Sequence, residues 1–121
     1  TAVVEKYEGA NLLERKAYNN QGEATTVGKL PWNYLGLYFT ASWCGACQSF
    51  GKQFSRFYRD INAAKKELEV VAVSLDTSRE DYLEQVTKYP WWALPFDEQY
   101  NNTMMHLYQV QYIPQMIVMD R

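Results

Sequence analysis

The sequence predicts an α/β protein, a layered sheet flanked by helices. Two runs, Tyr34–Thr40 and Leu68–Leu75, are dominated by apolar residues, as strands buried on both faces are. Segments with apolar residues three and four apart lie between and after these runs, so strand and helix alternate along the chain. At 47% hydrophobic, 16% aromatic and 21% charged residues, the 121-residue chain can bury a core as one domain, residues 1–121. A net charge of -2 suggests neither nucleic acid nor an anionic membrane as partner. No apolar run approaches the length of a membrane span, and no secretory signal is visible.

Taken in order, Leu12–Tyr18 leads into the turn signal Asn19-Asn20-Gln21-Gly22, and Glu23–Val27 reads as a short strand. Together they predict a hairpin at the sheet edge. Pro31 breaks any long element within Gly28–Asn33. Tyr34–Thr40 is the central strand. A helix follows to about Lys66, with Cys47, Phe50, Phe54, Phe57, Tyr58 and Ile61 as its apolar face. Leu68–Leu75, rich in valine, is the second buried strand. Ser78-Arg79-Glu80-Asp81 has the form of a capping box and opens a helix with Tyr82, Leu83 and Val86 inward. Tyr89–Phe96 is an aromatic, proline-bearing loop whose Trp91 and Trp92 serve either as core plugs or as the wall of a partner groove. Asp97 caps a further short helix with Tyr100, Met104, Leu107 and Tyr108 inward. The lone histidine, His106, falls on this helix in a surface or packing role. Met116–Met119 is the last apolar strand.

The only two cysteines, Cys44 and Cys47, stand where the central strand gives way to its helix. A helix N-terminus carries unsatisfied N–H groups and the positive end of the macrodipole, and both favour a thiolate. A thiol of about 8.5 drawn down to about 7 would be roughly half ionised at neutral pH. It would lose some intrinsic nucleophilicity but become a better leaving group, which suits exchange in both directions. Cys47 lies on the apolar face of the helix, behind Cys44. A structural zinc site needs four Cys or His ligands, more than two cysteines and one histidine supply. A purely structural staple across so short a ring gains little loop-closure entropy. With no cysteine left for structural bridges, a reducing compartment, the cytoplasm, is expected.

The run Leu35-Gly36-Leu37-Tyr38-Phe39-Thr40-Ala41-Ser42-Trp43-Cys44-Gly45-Ala46-Cys47 resembles the active site of the thioredoxin superfamily. The resemblance narrows to the tryparedoxin and nucleoredoxin branch through Val73-Ser74-Leu75-Asp76, Tyr89-Pro90-Trp91, Leu94-Pro95-Phe96 and Tyr112-Ile113-Pro114. It implies a thioredoxin-like fold with a central mixed sheet, and one further strand and helix after Met119 for which Asp120-Arg121 leave no residues. It also implies a protein-disulfide oxidoreductase without bound cofactor, in peroxide defence or redox homeostasis. Cys44 would attack and Cys47 resolve; Trp43, Gly45, Ala46, Ile113 and Pro114 would meet substrate, with the Ile113–Pro114 bond cis. The implied upstream donor is a dithiol such as trypanothione or a flavoprotein reductase, and the implied targets are protein disulfides of the peroxiredoxin type.

Some positions depart from the pattern. Tyr38 stands where thioredoxins carry a buried Asp, and a phenol of pKa about 10 does not serve proton transfer near neutrality. Asp76 is the nearer candidate, and it reads equally as an acid capping the strand end. Gly45-Ala46 is neither the Pro-Pro of tryparedoxins nor the Gly-Pro of thioredoxins, so neither group's redox potential is implied. The helix-bending proline is absent, with Gly51-Lys52 in its region. Two rivals complete the reading. One is a non-catalytic binding module of the same fold with the cysteines as a redox switch. The other is a peroxidase, which wants Thr-x-x-Cys and a nearby Arg that Ser42-Trp43-Cys44 does not provide.

Overall fold

The computed structural model describes residues 11–120. Six strands form one mixed sheet: β1 (Lys16–Tyr18), β2 (Ala24–Thr26), β3 (Tyr34–Thr40), β4 (Leu68–Ser74), β5 (Trp92–Ala93) and β6 (Gln115–Asp120). Their order is β2-β1-β5-β4-β3-β6. Three helices cover it: α1 (Gly45–Ile61), α2 (Arg79–Lys88) and α3 (Glu98–Leu107). None of these helices is long and apolar enough to cross a membrane.

The β1–β2 hairpin lies at the sheet edge, as its turn residues predict. Asn19 Oδ1 accepts from the backbone N–H groups of Gln21 and Glu23, and Gly22 takes the left-handed φ of +80° that closes the turn. The difficult stretch after it holds a 3-10 turn, Val27–Lys29, and Trp32 donates its indole N–H to the Val27 carbonyl.

β3 is flanked by β4 in parallel and by β6 in antiparallel pairing. Leu35, Leu37 and Phe39 face one core with Val71, Val73, Leu94 and Met104 beneath α3. Tyr38 faces a second core with Tyr58, Val70, Tyr89 and Trp91 beneath α1. Trp91 is therefore a core plug, ringed by Tyr38, Phe54, Tyr58 and Tyr89 at centroid distances of 5.0–5.8 Å. His106 is exposed in the last turn of α3.

Four expectations need correction. α1 stops at Ile61, not near Lys66, because the Asn62 side chain ends it. Its Nδ2 donates to the Tyr58 and Leu68 carbonyls, and its Oδ1 accepts from the Glu67 and Leu68 amides. Of the expected apolar face of α1, Cys47 and Tyr58 are buried and Phe50 and Phe54 pack against the core, but Phe57 is 50% exposed, Ile61 also stands out in solvent, and Gly51 and Ser55 are buried instead. Tyr89 packs against this face: a Cβ at Gly51 would lie 2.8–2.9 Å from its ring and hydroxyl atoms, so glycine is what lets it approach so closely. On α2, Leu83 is 45% exposed and Gln85 takes the inward position. The aromatic loop also contains β5, two residues that join β1 to β4 and so tie the hairpin to the main sheet.

Ser78 and Asp97 cap α2 and α3 as expected, accepting from the Asp81 and Tyr100 amides. In β4 the buried Glu69 accepts from the Tyr58 hydroxyl and pairs with Lys66 at 3.5 Å.

Burial raises the phenols of Tyr38 and Tyr58 above the usual range, with Glu69 adding to the rise at Tyr58, and pushes Tyr82 and Tyr100 up to about 12. In the unfolded chain these phenols ionise near 10.0. The stability they contribute is thus complete below that value and drains away as the pH climbs toward the folded values. Urea unfolding of the oxidised protein should give a constant free energy from about pH 7 to about pH 9 and a falling one above about pH 10, with a shallower fall for Tyr58→Phe. A flat profile through about pH 11 would remove the buried phenols from the account.

Candidate functional site

The site forms where β3 and β4 end side by side, outside the carboxyl ends of parallel strands, the usual place for chemistry in an open α/β sheet. β3 ends at Thr40, and four residues later Cys44 is the N-cap of α1, with extended backbone (φ -94°, ψ 108°). Its Sγ accepts from the Cys47 amide at 3.1 Å, so the sulfur takes the place of the usual capping oxygen. Cys44 and Cys47 are joined as a disulfide, with Cα atoms 5.2 Å apart. Cys44 is half-buried and Cys47 fully buried, so only the first sulfur has access to a partner.

The cis Ile113–Pro114 bond lies directly across from the pair, and the Ile113 carbonyl oxygen is 3.9 Å from Cys44 Sγ. Trp43 is 64% exposed, Gly45 and Ala46 form the open first turn of α1, and Ile113 and Pro114 are half-buried. Tyr112, beside the cis Ile113–Pro114 step, is at 69% the most exposed large apolar side chain among the described residues; the sequence used it only as part of the Tyr112-Ile113-Pro114 motif.

Asp76 is buried just beyond β4. Its Oδ1 accepts from the Ser42 amide at 2.8 Å and the Ser42 hydroxyl at 2.7 Å, and its Oδ2 accepts from the Ser74 hydroxyl at 2.7 Å. It bonds to neither cysteine, so what these contacts display is a clamp on the turn that presents Cys44. Tyr38 donates its hydroxyl to the Cys47 carbonyl at 3.1 Å, tying the first turn of α1 to β3. Burial lifts that phenol above its ordinary value, so it stays protonated and acts as a donor. Gln48, missed in the sequence, bridges three segments: its amide N–H donates to the Ala41 carbonyl at 3.1 Å, and its Oε1 accepts from the Tyr89 hydroxyl and Lys88. Only the fold shows this, because the partners lie 40 residues and more away.

A family profile described as thioredoxin-like matches residues 33–121, which include this whole site. The chain belongs to the thioredoxin-like family. Within the family it is 35% identical over 102 residues to mouse (Mus musculus) nucleoredoxin, covering 84% of this chain and 23% of that protein. It is 35% identical over 113 residues to tryparedoxin from Trypanosoma brucei brucei, covering 91% of this chain and 72% of that protein. The chain spans about a quarter of the length of the nucleoredoxins it matches. Among solved structures, tryparedoxin II complexed with glutathionylspermidine superposes with a TM-score of 0.78 at 29% identity, over 93% of this chain and 78% of that one. The thioredoxin-like fold and the tryparedoxin and nucleoredoxin likeness expected from the motifs both hold.

If the Asp76 clamp holds the turn, Asp76→Ala leaves the Ser42 and Ser74 donors without their acceptor and should lower the unfolding free energy by about 2–4 kcal/mol. Asp76→Asn, which keeps one acceptor, should cost about half as much. A loss of under about 0.5 kcal/mol for Asp76→Ala in denaturant melts would show the turn to be held by something else.

Proposed function

We propose that this chain is a thiol–disulfide oxidoreductase acting on protein disulfides. The supporting observation is a sulfur that caps a helix, accepts a backbone N–H, and has a second, buried sulfur within disulfide reach. In the forward direction the Cys44 thiolate attacks one sulfur of a substrate disulfide, and the other substrate sulfur leaves as a thiolate and takes up a proton. The mixed disulfide is then opened by Cys47, which attacks Cys44 Sγ and releases the second substrate thiol. Two electrons pass to the substrate, and the protein is left with the Cys44–Cys47 disulfide. An external dithiol restores the reduced pair. A glutathione-based dithiol such as trypanothione fits the solved tryparedoxin complexed with glutathionylspermidine; a flavoprotein reductase is the other candidate donor.

In this reading Trp43, Gly45, Ala46, Ile113 and Pro114 form the substrate rim around Cys44. Asp76 is the candidate acid for proton transfer at Cys47, alongside the reading its bonds to Ser42 and Ser74 favour, an acid that holds the turn before Cys44. Peroxiredoxin-type proteins are the proposed targets, in peroxide defence or redox homeostasis in the cytoplasm.

The reduced protein should accelerate dithiothreitol-driven reduction of insulin disulfides, and Cys44→Ser should abolish the acceleration. Cys47→Ser should instead accumulate mixed disulfides with substrate through Cys44, visible on non-reducing gels. Absence of insulin reduction by folded protein, or equal trapping by Cys44→Ser and Cys47→Ser, would refute the proposal.

A further inference from the structure

One flank of α1 carries a groove of about 630 Å³ lined by Gln48, Ser49, Lys52, Ser55, Arg59, Lys88 and Tyr89. Gln48, Lys52, Ser55 and Arg59 fall at i, i+4, i+7 and i+11, a single stripe along the helix. Lys88, at the end of α2, closes the groove at the Gln48 end, where it donates to Gln48 Oε1 at 3.2 Å. Three cations line it and no carboxylate does, although the chain as a whole carries a net charge of -2. Among the described residues the ion pairs are Arg15–Asp97, Lys65–Glu67 and Lys66–Glu69, so Lys52, Arg59 and Lys88 have no acidic partner. Asp60 and Glu84, the nearest acids on the same helices, stand outside the lining.

The groove starts one turn from Cys44. At 1.5 Å of rise per residue, Lys52 lies about 12 Å and Arg59 about 22 Å along the axis from the reactive sulfur's residue. The two residues are thus about 10 Å apart along the axis. An extended polypeptide, advancing about 3.4 Å per residue, would meet them with its fourth and its sixth or seventh residue from the reacting cysteine.

We propose that this groove docks an acidic segment of the disulfide-bearing substrate protein, with carboxylates about four and about seven residues from its reacting cysteine set against Lys52 and Arg59. The assignment of the substrate to Cys44 rests on the oxidoreductase reading; the groove's preference for acidic chain does not.

The test uses two disulfide-linked peptides that differ only in having glutamates or glutamines at those positions on both sides of the cysteine. The protein should reduce the acidic peptide with a KM about ten-fold lower at low ionic strength, an advantage that shrinks with added salt. Lys52→Glu with Arg59→Glu should erase the difference through KM, leaving kcat and the glutamine peptide unchanged, and the milder Lys52→Ala with Arg59→Ala should move the same way. Equal KM values for the two peptides in the parent protein, or equal losses on both in the variants, would overturn the proposal. So would inorganic phosphate competing as well as the acidic peptide, which would make the groove a site for small anions.

A binding measurement separates the two readings. Fluorescence anisotropy of a labelled, cysteine-free acidic peptide on the Cys44→Ser, Cys47→Ser protein should show binding that Lys52→Glu with Arg59→Glu removes. Binding without any disulfide reduction by the parent would uphold the groove and defeat the oxidoreductase reading. Insulin reduction without peptide binding would do the reverse.

Discussion

The structure depends on how little chain separates β3 from α1. β3 is hydrogen-bonded on both sides, to β4 and β6, and buried on both faces, so its end cannot drift. α1 is seated by Phe50, Phe54 and Tyr58 against the core around Tyr38 and Trp91 and by the close contact between Gly51 and Tyr89. The residues between them have no freedom to place Cys44 anywhere but at the helix tip. What looks like a local motif is therefore a consequence of two rigid elements meeting at a short junction, the kind of support a reactive group needs to keep its geometry.

Polar contacts finish what packing begins. Asp76 holds the Ser42 turn from the side of β4, Tyr38 holds the Cys47 carbonyl from β3, and Gln48 joins the turn to the end of α2. A typical hydrogen bond contributes only about 1 kcal/mol net, yet a buried donor or acceptor left unpaired costs more than that. These bonds thus act chiefly by making alternative arrangements of the turn expensive. The exposed aromatics Trp43 and Tyr112 and the cations Lys52 and Arg59 on the flank of α1 lie outside this network, where contact with another molecule is available.

Much of this was legible in the chain. The two buried strands show as unbroken apolar runs because each is covered on both faces, and the caps Ser78 and Asp97 show because capping needs particular side chains at particular offsets. The cysteine pair shows because its spacing is itself the chemistry. Other features have no local signature. β5 is two residues long, too short for any period, and exists only because β1 and β4 offer edges on either side. The end of α1 was placed too late because Ala63-Ala64-Lys65-Lys66 are good helix formers, whereas Asn62 stops it with bonds to Glu67 and Leu68 that only the return of the chain makes possible. The inward face of α1 was placed only in part, for a related reason. Of the apolar residues spaced along it, Cys47, Phe50, Phe54 and Tyr58 do pack inward, but Phe57 and Ile61 are exposed, and Gly51, against the Tyr89 ring nearly 40 residues later, lies inward instead. Glu69 shows how far burial can depart from residue type when a Tyr hydroxyl and a Lys are waiting for a carboxylate.

The central claim is that the helix tip makes one sulfur, and not its neighbour, reactive. The direct measurement is alkylation of the reduced protein by iodoacetamide across a pH series, with the labelled residue located by peptide mass mapping. Labelling at Cys44 should lead, with its half-maximal rate at a pH well below the ordinary thiol range of about 8.5, while Cys47 lags behind. A Cys44 profile that follows an ordinary thiol, or labelling led by Cys47, would contradict the account.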